Sequence, residues 1–377
     1  MKVAKLAIAL LAVSLILPAT TMGEVIEIGV VLPLSGRTSH FGTEALRGIN
    51  LAVEEINTRD DIKGGTLHLI VTDNGSDPTA TAQHVSELIE KEGVTAVIGP
   101  ITSTNSAAAA AVAQQGKTPL ILPTATSPYV TEIGEYISRI CFTDQFQSKI
   151  LTEYSRDYLR AQRAAVIFEK GSTYSEHLAE YYIARFKDMG GSIVFAESFT
   201  QGEEHGDNLV ERALQEKPDL IFAPVYYPEA ALLIKQIDAL NSSVTLLGGD
   251  GWESAELIRL AGDHVHPGQI YISSHFSLQL LEDKGSTFLS HFRQRYGDAP
   301  NAVSALAYDA VQVLADALRR ATVPGRDGLQ QALVSTNGFV GVTGKITINE
   351  KRNVVKDVYM LKVLKDGFAH EATMSPF

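Results

Sequence analysis

The chain has 377 residues, 45% of them hydrophobic and 20% charged, with a formal charge of −12 at pH 7. That length exceeds one ordinary core, so two domains are the starting expectation. The acidic balance argues against a nucleic-acid partner, which requires clustered Lys and Arg. Cys141 is the only cysteine, which excludes an internal disulfide and multi-cysteine structural zinc.

The first segment, "MKVAKLAIALLAVSLILPATTMGE", carries Lys2 and Lys5, an apolar run from Leu6 to Leu17, and then small and polar residues. This layout predicts a secretory signal peptide over residues 1–23, cleaved after Gly23. The apolar run is short for a membrane span. No cysteine lies near the cleavage point to take a lipid, so the expected compartment is the periplasm.

Strand and helix signals then alternate. "VIEIGVVL" is a nearly unbroken apolar run, the signature of a central strand buried on both faces. Ala45, Ile49, Ala52, Val53 and Ile56 follow at helical spacing. "TLHLIVTD" is the next strand, and Asp77 and Pro78 open the next helix as N-cap and first-turn residue. "VTAVIGP", "STNSAAAAAVAQQG" and "TPLILP" continue as strand, helix and strand. Cys141 in "ISRICFT" reads as a buried structural thiol.

The alternation resumes after Gln145, through the strands "RAAVIFE", "SIVFAES", "DLIFAPV", "VTLLGG" and "GQIYISS" with helices between them. Two such runs predict two doubly wound lobes with parallel sheets. In the last third two helices come in succession, "STFLSHFRQRYG" and "AVSALAYDAVQVLADALRRA". "VTGKITINE" and "VVKDVYMLKVLKDG" then read as strands joined by a charged turn around Glu350 to Asn353. No floppy linker separates the lobes, which suggests several short crossovers forming a hinge.

The motifs of phosphate loops, nucleophile elbows and metalloprotease helices are absent from the sequence. "HVHPG" (His264, His266) and "EEH" (Glu203 to His205) read as solvated loops rather than metal sites. Polar groups gather instead where four predicted strands end. Thr102, Ser103 and Thr104 follow one strand, and Thr124, Thr126 and Ser127 another. Tyr226 and Tyr227 follow a third, and Asp250 and Trp252 a fourth. In open parallel sheets ligands bind outside the C-terminal strand ends. Taken singly, Ser103 or Thr104 would cap a helix, Thr126 and Ser127 would serve the turn before Pro128, Tyr226 and Tyr227 would pack in a cleft wall, and Asp250 would cap the helix near Ser254 or hold the glycine turn. Taken together, hydroxyls at a helix N-terminus suit a carboxylate, and an acid with a tyrosine hydroxyl suits an ammonium group. Such a cleft is complementary to a small zwitterion and contains no catalyst. An exported hydrolase using Ser103 or Ser127 is the competing reading from another class, but no base lies near either in sequence.

These stretches resemble the type I periplasmic solute-binding proteins of branched-chain amino acid (Leu/Ile/Val) ABC transporters. The resemblance is carried by "IGVVLPLSGRTSHFGTEALRGINLAVEEIN", "DNGSDPTATAQHVSELIEKEGVTAVIGPITSTNSAA", "LPTATSP", "YYPEAALLIKQ" and "LLGGDGW", in that order. It implies an α/β fold of two Rossmann-like lobes joined by a three-crossover hinge. It puts lobe 1 at 24–144 and 274–350, and lobe 2 at 145–273 and 351–377. It places the ligand carboxylate on Ser103 and Thr126. It places the ammonium on the Ala125 carbonyl, Tyr226 and Asp250, with Phe41 and Tyr174 as walls. It implies no enzyme activity, no cofactor, a monomer, and an ABC permease as partner. Some relatives carry Glu at the Asp250 position, and a bulky wall residue of the late helix corresponds to a small one near Ala305. Members of the family also bind amides, urea-like solutes and aromatic acids, which keeps such a ligand as the alternative.

Overall fold

The computed structural model describes residues 24–62, 64–202, 208–266 and 269–376. The predicted signal peptide and Glu203–His205 lie outside the described residues. The first run of elements is β1 (Glu24–Leu32), α1 (Ser39–Arg59), β2 (Gly65–Asp73), α2 (Pro78–Glu90), β3 (Ala96–Ile98), α3 (Ser103–Gln115), β4 (Leu120–Leu122), α4 (Tyr129–Glu132) and β5 (Ile137–Arg139). Its strands form one parallel sheet in the order β2-β1-β3-β4-β5. The apolar run of β1 is explained by this position: Val30, Val31 and Leu32 are fully buried between helices on both faces. As expected from the sequence, Asp77 caps α2, its carboxylate accepting from the Ala80 N–H at 2.7 Å.

The second run is α5 (Asp144–Glu153), β6 (Arg163–Glu169), α6 (Thr173–Asp188), β7 (Ser192–Phe199), α7 (Leu209–Gln215), β8 (Leu220–Ala223), α8 (Tyr227–Ala239), β9 (Thr245–Gly248), α9 (Ala255–Ala261) and β10 (Ile270–Ser274). The chain then returns to the first lobe as α10 (Asp283–Tyr296), α11 (Ala302–Arg320), α12 (Gly325–Val334) and the ribbon β11 (Phe339–Gly341) with β12 (Gly344–Ile346). Helix α11 packs along α1. From α12, Arg326 donates at 2.7 Å to the Val94 carbonyl just before β3. Last come β13 (Val358–Leu364) and β14 (Gly367–Met374), which join the second sheet in the order β14-β13-β10-β9-β8-β6-β7.

In the last third, the strand at Gly344–Ile346 pairs with β11, and β13 lies antiparallel to β10 and β14. Helix α12 and strand β14 are additional to the elements expected from the sequence. The chain passes between the two lobes after β5, after β10 and after β12, the expected three crossovers. Among the described residues no helix is long and apolar enough to cross a membrane.

Both sheets reverse strand order at one point, between β1 and β3 in the first lobe and between β6 and β8 in the second. A crevice opens at such a switch point outside the C-terminal strand ends. The two crevices face each other, and that is where the polar strand ends meet.

Candidate functional site

A small cavity of about 30 Å³ lies between the lobes. From the first lobe it is lined by Phe41 of α1, Ile101 and Ser103 at the start of α3, Thr124 and Thr126 after β4, and Ala302, Val303 and Leu306 of α11. The second lobe contributes Tyr174 of α6, Tyr226 after β8, Asp250, Gly251 and Glu253 after β9, and His275 after β10. Six of the seven residues expected from the sequence, Phe41, Ser103, Thr126, Tyr174, Tyr226 and Asp250, therefore line one cavity.

Ala125 is the exception. Its carbonyl accepts from the wholly buried Arg139 guanidinium at 2.6 Å and from the Cys141 thiol at 3.3 Å. It faces away from the cavity and belongs to the support behind Thr126. Thr124 is in the lining instead, and its hydroxyl donates to the Ile101 carbonyl at 2.7 Å. Alternate residues of an extended segment face opposite sides, which sets Ala125 apart from Thr124 and Thr126.

Several single-residue readings are also resolved. Thr102 is the N-cap of α3 and makes no side-chain cap bond, so neither Ser103 nor Thr104 serves that role. The Ser103 hydroxyl oxygen accepts from the Ser127 N–H at 3.3 Å and remains in the cavity wall. Ser127 does more than serve its turn: its hydroxyl pairs with His177 Nδ1 at 2.7 Å across the lobes. The Thr104 hydroxyl oxygen likewise accepts from the Thr173 N–H of the other lobe at 3.0 Å. Ser254, not Asp250, caps α9, accepting from Glu256 N–H at 3.1 Å. On α11 the cavity is faced by Ala302, Val303 and Leu306, and Ala305 is turned inward.

Asp250 is held from two sides. The Gln147 amide donates to Oδ1 at 2.7 Å, and the Nε2–H of His275 donates to Oδ2 at 3.3 Å. Burial pushes His275 down to about 4, against the pull of Asp250, so its imidazole is neutral at neutral pH and stacks on Phe142 at 3.6 Å. Burial raises the Tyr174 and Tyr226 hydroxyls well above their ordinary value, with Asp250 adding to it, so both stay protonated donors. The two rings stack at 5.0 Å, and Phe41 stands edge-on to Tyr226 at 6.2 Å.

The glycines of "GGDGW" are explained by close approach. A Cβ on Gly249 would lie 2.2 Å from the Tyr174 hydroxyl, and one on Gly248 2.4 Å from the Trp252 ring. Tyr174 also accepts from the Gly251 N–H at 3.2 Å, so the Asp250 loop is seated on that ring. Gly249→Ala is expected to push Tyr174 and Asp250 apart and weaken ligand binding at least tenfold, measured by calorimetry. The cost corresponds to overpacking of about 1–3 kcal/mol.

The lobes are also joined at the mouth of the cleft. Arg37, between β1 and α1, makes a two-pronged pair with Glu169 at 2.7 and 3.0 Å and lies 3.3 Å from Glu229. Burial opposes this charge, but the bonds to Glu169 and the charge of Glu229 outweigh it and raise the Arg37 pKa. The Tyr227 hydroxyl donates to the Arg37 carbonyl at 3.0 Å. Elsewhere, His264 Nδ1 lies 2.6 Å from Asp238 Oδ2, and His266 pairs with the same carboxylate. Among the described residues no three His, Cys, Asp or Glu side chains gather as metal ligands.

Two doubly wound lobes closed over a small cavity, with polar strand ends opposed across it, define a two-lobed solute receptor. A periplasmic binding protein family model matches residues 25–368, and the chain belongs to that family. The family is one of non-catalytic binding proteins, which sets aside the hydrolase reading of Ser103 and Ser127, and it carries the periplasmic location expected from the N-terminal segment. The structure is similar to that of a leucine-binding protein of Thermotoga maritima, with 32% identity, a TM-score of 0.89, and coverage of 93% of this chain and 99% of that one. It is also similar to a branched-chain amino acid transporter substrate-binding protein of Streptococcus pneumoniae in complex with isoleucine, at 31% identity, TM-score 0.86 and the same coverage. A Leu/Ile/Val-binding protein of Rhizobium johnstonii is 25% identical over 338 residues, 89% of this chain and 90% of that protein.

Proposed function

We propose that this chain is an extracytoplasmic receptor that binds a small aliphatic amino acid between its lobes and delivers it to an ABC permease. The observation that carries this reading is the polarity of the cavity between the lobes. Hydroxyls of Ser103 and Thr126 stand beside the first backbone N–H groups of α3 on one side, and Asp250 and Tyr226 stand opposite. A carboxylate is favoured at the first pole by hydroxyl donors and the helix dipole. An ammonium is favoured at the second by the Asp250 carboxylate, the Tyr226 hydroxyl oxygen and the Thr124 carbonyl. Between the poles, Phe41, Ile101, Val303 and Leu306 supply an apolar wall for an aliphatic side chain. Asp250 disfavours a neutral amide or an aromatic acid, neither of which brings a cation to meet it.

The same reading assigns 24–144 and 274–350 to lobe 1, and 145–273 and 351–377 to lobe 2. It is supported by the leucine, Leu/Ile/Val and isoleucine named for the similar proteins. A thermal-shift screen over amino acids, amides and small acids tests it. Leucine, isoleucine or valine is expected to raise the melting temperature by several degrees, because a ligand bound only by the native state stabilises it by mass action. A shift with acetamide, urea or benzoate and none with any amino acid would refute it.

A further inference from the structure

Glu253 was not anticipated from the sequence, and its position is unlike that of any other lining residue. It comes from the second lobe, is 5% exposed, and reaches across to the first lobe. There its Oε1 accepts at 3.0 Å from the N–H of Ala302, the first residue of α11 and itself part of the cavity wall. Its Oε2 is bonded to the hydroxyl of Ser274, at the end of β10. The carboxyl forms part of the wall of the ligand cavity and also of a second, larger hollow, whose rim residues Leu278, Gln279 and Asp298 are exposed.

The Ser274 hydroxyl can serve two arrangements. It lies 2.8 Å from the Phe276 carbonyl and accepts from the Phe276 N–H at 3.0 Å. A hydroxyl has one proton to give. When Glu253 is ionised, Ser274 donates to it. When Glu253 is protonated, Glu253 donates to Ser274, whose own proton turns to the Phe276 carbonyl. The Ala302 bond is satisfied in both cases. A buried carboxyl is costly when unpaired, and here neither protonation state leaves it so.

We propose that Glu253 is a positioning residue that ties closure of the lobes, and hence ligand binding, to the uptake of one proton. The proposal rests on the reading that the cavity takes a small amino acid. In the open cleft the carboxyl faces water and has lost its contact with Ala302. Closure buries it beside Asp250. Burial, reinforced by Asp250 and opposed by the bonds from Ser274 and Ala302, pushes Glu253 up to about 7 in the closed form. The other charged or titratable groups lining its hollow or the cavity are His40 and Glu44 of α1, Asp298 before α11, Asp366 in the β13–β14 turn, His275, and Tyr174 and Tyr226, which stay protonated. Glu44 and Asp298 are both paired with Arg47. His275 stays neutral above about 4. The sign follows directly. A carboxyl with a higher pKa in the closed form favours closure at low pH, fully below about 4.5, and loses that advantage as pH rises to about 7.

Titration calorimetry with L-leucine at pH 6, run in two buffers of different ionisation enthalpy, measures the protons taken up on binding. Leucine itself does not titrate in this range. The wild-type chain is expected to take up most of one proton, and to bind roughly twentyfold tighter at pH 5.5 than at pH 7.5. Glu253→Gln is expected to bind leucine with no proton uptake and a flat pH profile. Should that variant fold poorly, Ser274→Ala removes the donor to the ionised form, and its uptake is expected to persist to higher pH. Equal proton uptake in wild type and Glu253→Gln, or an unshifted profile in Ser274→Ala, would overturn the proposal. Absence of leucine binding to the wild-type chain at every pH would overturn the amino-acid reading beneath it as well.

Discussion

Replacing Asp250 with alanine is expected to weaken leucine binding by at least tenfold while leaving the fold intact. Asp250 is the carboxylate of the cavity's ammonium pole, seated on a loop held by its own contacts: Trp252 Nε1–H to the Ala223 carbonyl at 2.9 Å, and Tyr174 beneath Gly251. Those contacts survive the substitution. Three things are lost together: the charge, an acceptor for the ligand, and the partner of Gln147 and His275. A charge-assisted hydrogen bond is worth about 1.5–3 kcal/mol, and truncating one member of a buried charged pair costs about 2–5 kcal/mol. The expected loss therefore runs from about tenfold to well over a hundredfold. Asp250→Asn separates the causes, since it keeps the shape and an acceptor oxygen but removes the charge. It is expected to recover only part of the affinity. Calorimetric affinities within threefold of wild type for both variants would remove the ammonium from Asp250.

Arg37→Met is expected to weaken binding roughly tenfold without touching the ligand. Arg37 stands at the mouth of the cleft and holds the two lobes together through Glu169 and Glu229, whose side chains are 6% and 5% exposed. Losing the guanidinium leaves the Glu169 and Glu229 carboxylates, both of the second lobe, nearly buried in the closed form without the cation that reaches them from the first. Breaking a buried ion pair by removing one partner costs about 3–5 kcal/mol, less here because Arg37 keeps 20% of its side-chain exposure. The open form, with both acids in water, bears almost none of that cost. Apparent affinity falls with the population of the closed state, so the loss is in closure rather than in contact. Small-angle scattering at saturating leucine checks this directly. The variant is expected to need more leucine than wild type to reach the same compact form. An unchanged titration midpoint would show that the Arg37 cluster does not govern closure.

Much of the architecture was legible because parallel strands buried on both faces leave continuous apolar runs, and β1 is the clearest case. The site was legible for a related reason. Such sheets bind ligands at strand ends, and hydroxyls, tyrosines and an acid collect there in this chain. What could not be read was what depends on contacts between distant segments. The surroundings of Ala125 were not legible, because one residue of register decides which side of an extended segment faces the cavity and Arg139, bonded to its carbonyl, lies 14 positions on. Ser127 looked like turn chemistry because His177, its partner, lies fifty positions away on the other lobe. Glu253 gave no signal, since an acid just before a capping serine is ordinary. Its meaning comes from Ala302 and Ser274, which only the fold brings to it. The α11 residues that line the cavity, Ala302, Val303 and Leu306, likewise gave no signal of their own.

The central claim is that one cavity grips both charged groups of a small amino acid. The direct test is a calorimetric titration of the signal-free chain with L-leucine, 4-methylpentanoate and 3-methylbutylamine. The two analogues keep the aliphatic chain but lack the ammonium and the carboxylate respectively. Leucine is expected to bind with one-to-one stoichiometry, and each analogue at least a hundredfold more weakly. Binding of either analogue as tightly as leucine, or no binding of leucine, isoleucine or valine, would contradict it.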